Sequence, residues 1–168
     1  MTVQNPAIFL QEGSHPAEDV RRALGAIVGQ SGGLVGTSDL LVSENSAGAD
    51  MSIDVADGAI WIAGTEATYQ GVYFCENRGV TNIPVQAADV VDPRIDLVVA
   101  LDIVTGTPAV SPVAPALPAN AFSLATISVA ANATTIVDAN ITDTRTPTDT
   151  VITGDLTVEG TLTADSSN

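Results

Sequence analysis

One histidine, one cysteine and 20 carboxylates are the first side chains of this 168-residue sequence to weigh for acid–base, thiol or metal chemistry. His15 stands directly before Pro16 at what reads as a helix start, so a capping or solvated role is expected for it and no catalytic triad is built around it. Cys75 lies between Phe74 and Glu76, with only Arg78 near in sequence to favour a thiolate. It is expected to be a buried structural thiol. A single cysteine excludes an intrachain disulfide and a multi-cysteine zinc site, in keeping with a reducing compartment. Among the carboxylates, Asp54 with Asp57 and Asp89 with Asp92 have spacings that could ligate calcium, yet no twelve-residue loop carries ligands at the required positions. Solvated turn residues are the expectation. Glu66, Asp96 and Asp102 could serve as glycosidase carboxylates only if the fold gathered them. The glycine-rich stretch Gly29-Gln30-Ser31-Gly32-Gly33 follows a helix rather than preceding one and contains no lysine, so it fails as a phosphate cradle. No catalytic residue, metal site or cofactor is assigned, and the protein is not expected to be an enzyme.

The charge balance excludes further classes. Five basic residues, all arginine, oppose the 20 acidic ones, for a net charge of −15. Such a surface repels phosphate, which argues against nucleic acid and anionic membranes as partners and leaves protein or glycan. With so few cations, Arg94 beside Asp96 and Arg145 beside Asp143 are each expected to be neutralised by a neighbouring carboxylate in the body or across a subunit boundary. Hydrophobic residues reach 45% while aromatics reach only 4%, so Val, Ile, Ala and Thr must build the core. The longest strongly apolar run, Leu97 to Leu101, is far too short to span a bilayer, and no Lys or Arg precedes Leu10 to begin a secretory signal. A soluble protein made and assembled in a cytoplasm is expected.

The elements that must position these residues are legible as a change of period. Pro16 opens a helix with Glu18 and Asp19 in its first turn, and Val20, Leu24, Ile27 and Val28 recur at helical spacing up to a stop at Gly29. From Gly36 the period is two. Met51, Ile53 and Val55 alternate up to Asp57-Gly58, and Ala59 to Ala63 follows, which predicts a hairpin between the two. Trp61, flanked by Ile60 and Ile62, is expected in the hairpin core. Further strands are expected over Tyr69 to Phe74 and at an edge around Pro84, and Arg94 to Val104 reads as a central strand buried on both faces. Thr107 to Asn120, with four prolines, reads as a polyproline-like excursion or a surface loop rather than a helix, after which Ala125, Ile127 and Val129 share one face.

The last segment repeats after six residues: Gly154-Asp155-Leu156-Thr157 returns as Gly160-Thr161-Leu162-Thr163. Ile152, Leu156, Val158 and Leu162 fall on one parity, so an extended chain would carry them on one face. One copy cannot bury that strip, whereas several copies around a common axis can. A C-terminal strand added to the parent sheet, or a floppy tail, is the alternative.

The blocks Gly13 to Asp19, Met51 to Gly58, Tyr69 to Asn82, Asp92-Pro93-Arg94-Ile95-Asp96 with the following strand to Ala100, and Ile141 to Arg145 form a recognisable set. Together they resemble the N-terminal module of minor tail proteins and tail fibres of long-tailed bacteriophages, notably those infecting actinobacteria. The resemblance covers most of residues 1–147 and implies a virion structural protein, commonly trimeric, that attaches to the tail tip or baseplate and supports host adsorption. Such proteins often continue into a receptor-binding region; here the sequence runs to Asn168, which suggests a second protein completing the fibre or a short attachment, plug or decoration element.

The expected fold is mainly β. It comprises an N-terminal extended segment with one helix (1–36), an antiparallel β-sandwich or barrel-like body (37–147) and a C-terminal trimeric β-stalk (148–168). Docking and self-association are assigned to Ile8, Phe9, Leu10, Val20, Leu24 and Ile27, and to Ile152, Leu156, Val158 and Leu162. The expected partners are its own copies in a homotrimer and other virion proteins of the tail tip or baseplate, with host-surface glycan as a further candidate. Two alternatives stand beside this reading: a capsid decoration protein or head fibre, and a glycan-binding module with Trp61, Tyr69 and Tyr73 as its stacking platform.

Overall fold

Residues 16–67, 70–100, 108–111 and 117–148 are described by the structure, a computed structural model. Helix α1 (Ala17–Val28) begins after Pro16, carries Glu18 and Asp19 in its first turn, and ends at Gly29, whose φ of +94° no β-carbon would favour. Then come β1 (Gly32–Leu34), β2 (Val42–Glu44), β3 (Ser52–Val55), β4 (Gly58–Ala63) and β5 (Val72–Asn77). They are followed by β6 (Thr81–Pro84), β7 (Arg94–Ala100), β8 (Ala109–Ser111), β9 (Phe122–Val129) and β10 (Ile141–Asp143). The protein is mainly β, as expected, with every strand pair antiparallel and the strands in three sheets, ordered β1-β4-β5, β2-β3-β6 and β10-β9-β7-β8. No helix among the described residues is long and apolar enough to cross a membrane.

All three sheets contribute to one aliphatic core. Leu34, Val42, Ile53, Val55, Ile60, Ile62, Val98, Leu124, Ile127 and Val129 are buried together, joined by Leu40 and Ile136 from the connections. Each such side chain contributes about 1.5–3 kcal/mol by leaving water. Because Leu34 belongs to this core and β1 pairs with β4, residues 32–34 are part of the sheet body. A bulge between Val98 and Val99 lets both Leu124 and Ala125 turn inward, interrupting the strict alternation of β9.

Four sequence expectations are corrected. The strands around Ile53 and Ile60 do not form a hairpin: β3 pairs with β2 and β6, and β4 with β1 and β5. Their short connection is instead bound to the segment before β2. Ala56 N–H donates to Leu41 O (2.8 Å), Leu40 N–H donates to Asp57 O (3.1 Å), and Gly58, at φ +146°, lies where a β-carbon would strike Asp39. That close approach carries the chain from one sheet into another. Second, β7 is interior as expected but is not buried on both faces, since Ile95 is 53% exposed. Third, the proline-rich stretch contains β8, because Ala109, Val110 and Ser111 lie between Pro108 and Pro112 and keep their donors for the ladder with β7. Fourth, Trp61 is half-buried and faces away from the core that holds Ile60 and Ile62. Edge position is borne out for β6, the strand that ends at Pro84.

Candidate functional site

Among the described residues, several polar side chains that could have done chemistry instead hold the fold. Asp54 is buried and accepts from Asn82 Nδ2 (2.8 Å) and Ser46 N–H (2.9 Å); these hydrogen bonds, Asn82 first, hold its carboxyl below the ordinary carboxylate range. Asp57 is exposed in the turn before β4. Asp89 accepts from Val91 N–H (2.7 Å) and Asp92 N–H (3.1 Å), the geometry of a turn, and is held low by these bonds. Among the described residues no group of three or more His, Cys, Asp or Glu side chains could hold a metal ion. Cys75 is half-buried rather than fully buried, facing the core side of β5, and desolvation pushes its thiol up, away from the reactive thiolate.

Glu66 and Asp96 are not gathered as a carboxylate pair. Glu66 accepts from Asn120 Nδ2 (2.7 Å) near the Ala100–Phe122 end of the β7–β9 ladder, whereas Asp96 lies four residues back along β7, roughly 13 Å away at strand spacing. Asp102 lies outside the described residues, as do His15 and Tyr69. Trp61 and Tyr73 project from opposite faces of the β4–β5 ladder, since Trp61 pairs with Phe74 and Tyr73 with Ile62. The stacking platform drawn from the sequence is therefore not assembled.

The arginines behave much as the charge balance required. Arg94 Nε reaches both oxygens of the fully buried Asp96 (2.9 and 3.2 Å), and its remaining donors bond to Ala87 O (2.8 Å) and Gln86 O. It thus clamps the β6–β7 connection onto the core strand. A shallow depression of about 410 Å³ beside this connection is bordered by Arg94, Asp89 and Asp92, but the guanidinium at its wall is already engaged. Arg145 pairs with Asp143 (2.8 Å) and donates to Asp39 O (2.6 Å), Arg78 pairs with Glu76 (2.9 Å), and Arg22 faces Asp19 at 3.8 Å. Arg21 differs: its guanidinium sits 4.7 Å from the centre of the Tyr73 ring and donates to Gln70 O (2.9 Å).

No family model matches the chain, and comparisons with curated proteins and solved structures return no significant match.

What the geometry does bring together lies around β1. Helix α1 packs against β5, with the backbone of Arg21 and Arg22 close to Gly71, and leads through Gly29 into β1. Val20 and Leu24 are half-buried there, while Ile27 is 71% exposed. On the other edge of β1 the chain leaving the body runs parallel to it. Leu34 N–H donates to Thr146 O (3.0 Å), and Thr148 donates to Leu34 O from both its N–H (3.0 Å) and its hydroxyl (2.7 Å). Gly33, at φ +144°, makes room for this strap: a β-carbon would lie 2.6 Å from Thr148 N and 2.7 Å from Pro147 O. Sequence reasoning named the helix face but missed the strap, whose only local signal is the pair of glycines at 32 and 33. Of the assigned docking residues, Val20, Leu24 and Ile27 are those in the description; Ile8, Phe9, Leu10, Ile152, Leu156, Val158 and Leu162 lie outside it.

Proposed function

We propose that this chain is a non-enzymatic structural subunit of a bacteriophage virion, a homotrimeric tail fibre or baseplate protein attached at the tail tip and supporting host adsorption. The observation that carries the reading is the convergence at β1. An amphipathic helix with an incompletely covered apolar face enters on one side, and the strap 146–148 leaves on the other towards the glycine-punctuated repeat. A subunit that must meet its copies through both ends has reason to hold both ends on one strand. The sequence resemblance to tail-fibre modules points the same way.

In this reading the body is barrel-like. The contacts of β10 with β2 and of β8 with β6 support such a closure, because they bring the edges of two sheets side by side around the common core. The C-terminal repeat then forms the stalk, its one-sided apolar strip covered by the same strip on two sister chains.

Size-exclusion chromatography with light scattering tests the assembly. The full chain is expected at three times its 17.0 kDa mass, and a variant lacking residues 150–168 at a lower mass. A stable monomer at micromolar concentration, unchanged by the deletion, would overturn the proposal. Labelled antibody on intact particles tests the location: label at the tail tip is expected, and label over the shell would favour a head decoration instead.

A further inference from the structure

The outer face of sheet β1-β4-β5 has no place in the interface drawn from the sequence. Trp61 and Phe74, directly opposite each other across β4 and β5, stack there with ring centres 5.0 Å apart at a 56° tilt. Phe74 is 53% exposed, and Val35, bonded through its N–H to Ala59 O and diagonal to Trp61, is 57% exposed. This is an unusual use of aromatic side chains in a sequence that has one Trp, two Tyr and three Phe. Gly33, the partner of Trp61 on β1, is buried, with Pro147 and Thr148 of the strap lying where its side chain would be.

We infer that this face, centred on Trp61 and Phe74, is the surface on which a second copy of the chain docks. Two observations select that occupant. The first is charge. Two bodies of net charge −15 repel each other, and they can approach closely only through a patch that carries no unbalanced acid. Among the described residues of this face, Val35, Ala59, Trp61, Ala63, Val72 and Phe74 are uncharged, Val72 being already buried, and Glu76 is paired with Arg78 at 2.9 Å. The second is where the chain goes. Thr148, with 20 residues still to follow, leaves beside Gly33, one strand from Trp61, so a sister subunit gathered by that segment arrives next to this face. The inference rests on the assembly proposed above and adds to it the residues of contact.

Trp61 is the sole tryptophan, so its fluorescence reports on the face directly. In the full chain, acrylamide quenching of Trp61 is expected to weaken, and its emission to shift to the blue, over the concentration range in which light scattering shows the mass rising. Phe74→Glu puts a new acid into the patch and is expected to weaken association by about tenfold or more, with the far-ultraviolet circular dichroism and melting transition retained. Should that variant fail to fold, the quenching of the unaltered chain decides alone. Quenching that stays constant while the mass rises overturns the inference and leaves the assembly reading standing; association untouched in a folded Phe74→Glu does the same. A full chain that is monomeric at every concentration overturns both.

Discussion

Asp54 is a carboxylate that composition alone would have placed on the surface, and the fold buries it with its hydrogen bonds made. Its proton affinity is lowered in the folded state, as are those of Asp50, Asp89 and Asp143 through their own hydrogen bonds. A carboxyl with a depressed folded-state pKa stabilises the fold above its unfolded value and loses that contribution as pH falls through the folded one. Stability measured by urea melts is therefore expected to decline below about pH 4, and Asp54→Asn is expected to flatten that decline while lowering stability near neutrality. An unchanged acid limb in the variant would count against this account. The pairing of Arg94 with Asp96 and of Arg145 with Asp143 was legible in the sequence, because five arginines stand among 20 acids and each of these two has a carboxylate two residues away; within β7 that spacing also puts Arg94 and Asp96 on one face. The inward direction of Asp96 was not, since parity says which residues share a face but not which face meets the core.

At the scale of elements, the helix was read correctly from Pro16 to Gly29 because its start, its period and its stop are all local signals. The strand over residues 52–55 was read correctly too, but its partner was not: Asp57-Gly58 is a hairpin signal by composition, and Gly58 serves instead a tight pass against Asp39. The strap along β1 shows the same limit, since nothing near Pro147 announces that it lies against Leu34. Gly33→Ala is expected to expel residues 146–148 from β1, since the added carbon meets backbone rather than a movable side chain and φ is unfavourable besides. Hydrogen exchange should then speed up at Leu34 and Thr148 while the amides of β7 and β9 keep their protection. Thr148→Ala, which loses only the hydroxyl bond, is expected to cost about 1 kcal/mol.

For the whole molecule, charge opposes the proposed assembly. A body of net charge −15 that gathers copies of itself must overcome a long-range repulsion that salt screens, with a Debye length of about 8 Å at physiological ionic strength. Association is therefore expected to strengthen as sodium chloride is raised from dilute buffer to physiological strength, measured as weight-average mass at fixed protein concentration. Weakening with salt would mean that ion pairs between subunits, not apolar contact, hold the assembly. The sequence by itself determined the class of the fold, the aliphatic character of its core, the neutralisation of most of its cations and the helix with its ends. Each of these follows from composition or from a pattern within a few residues. Only the tertiary structure decided which strands pair, that Trp61 and Phe74 face outward, and that the departing chain is strapped to β1. Those depend on which distant segments come within a few ångströms of one another, and on which face of each ladder the common core happens to claim.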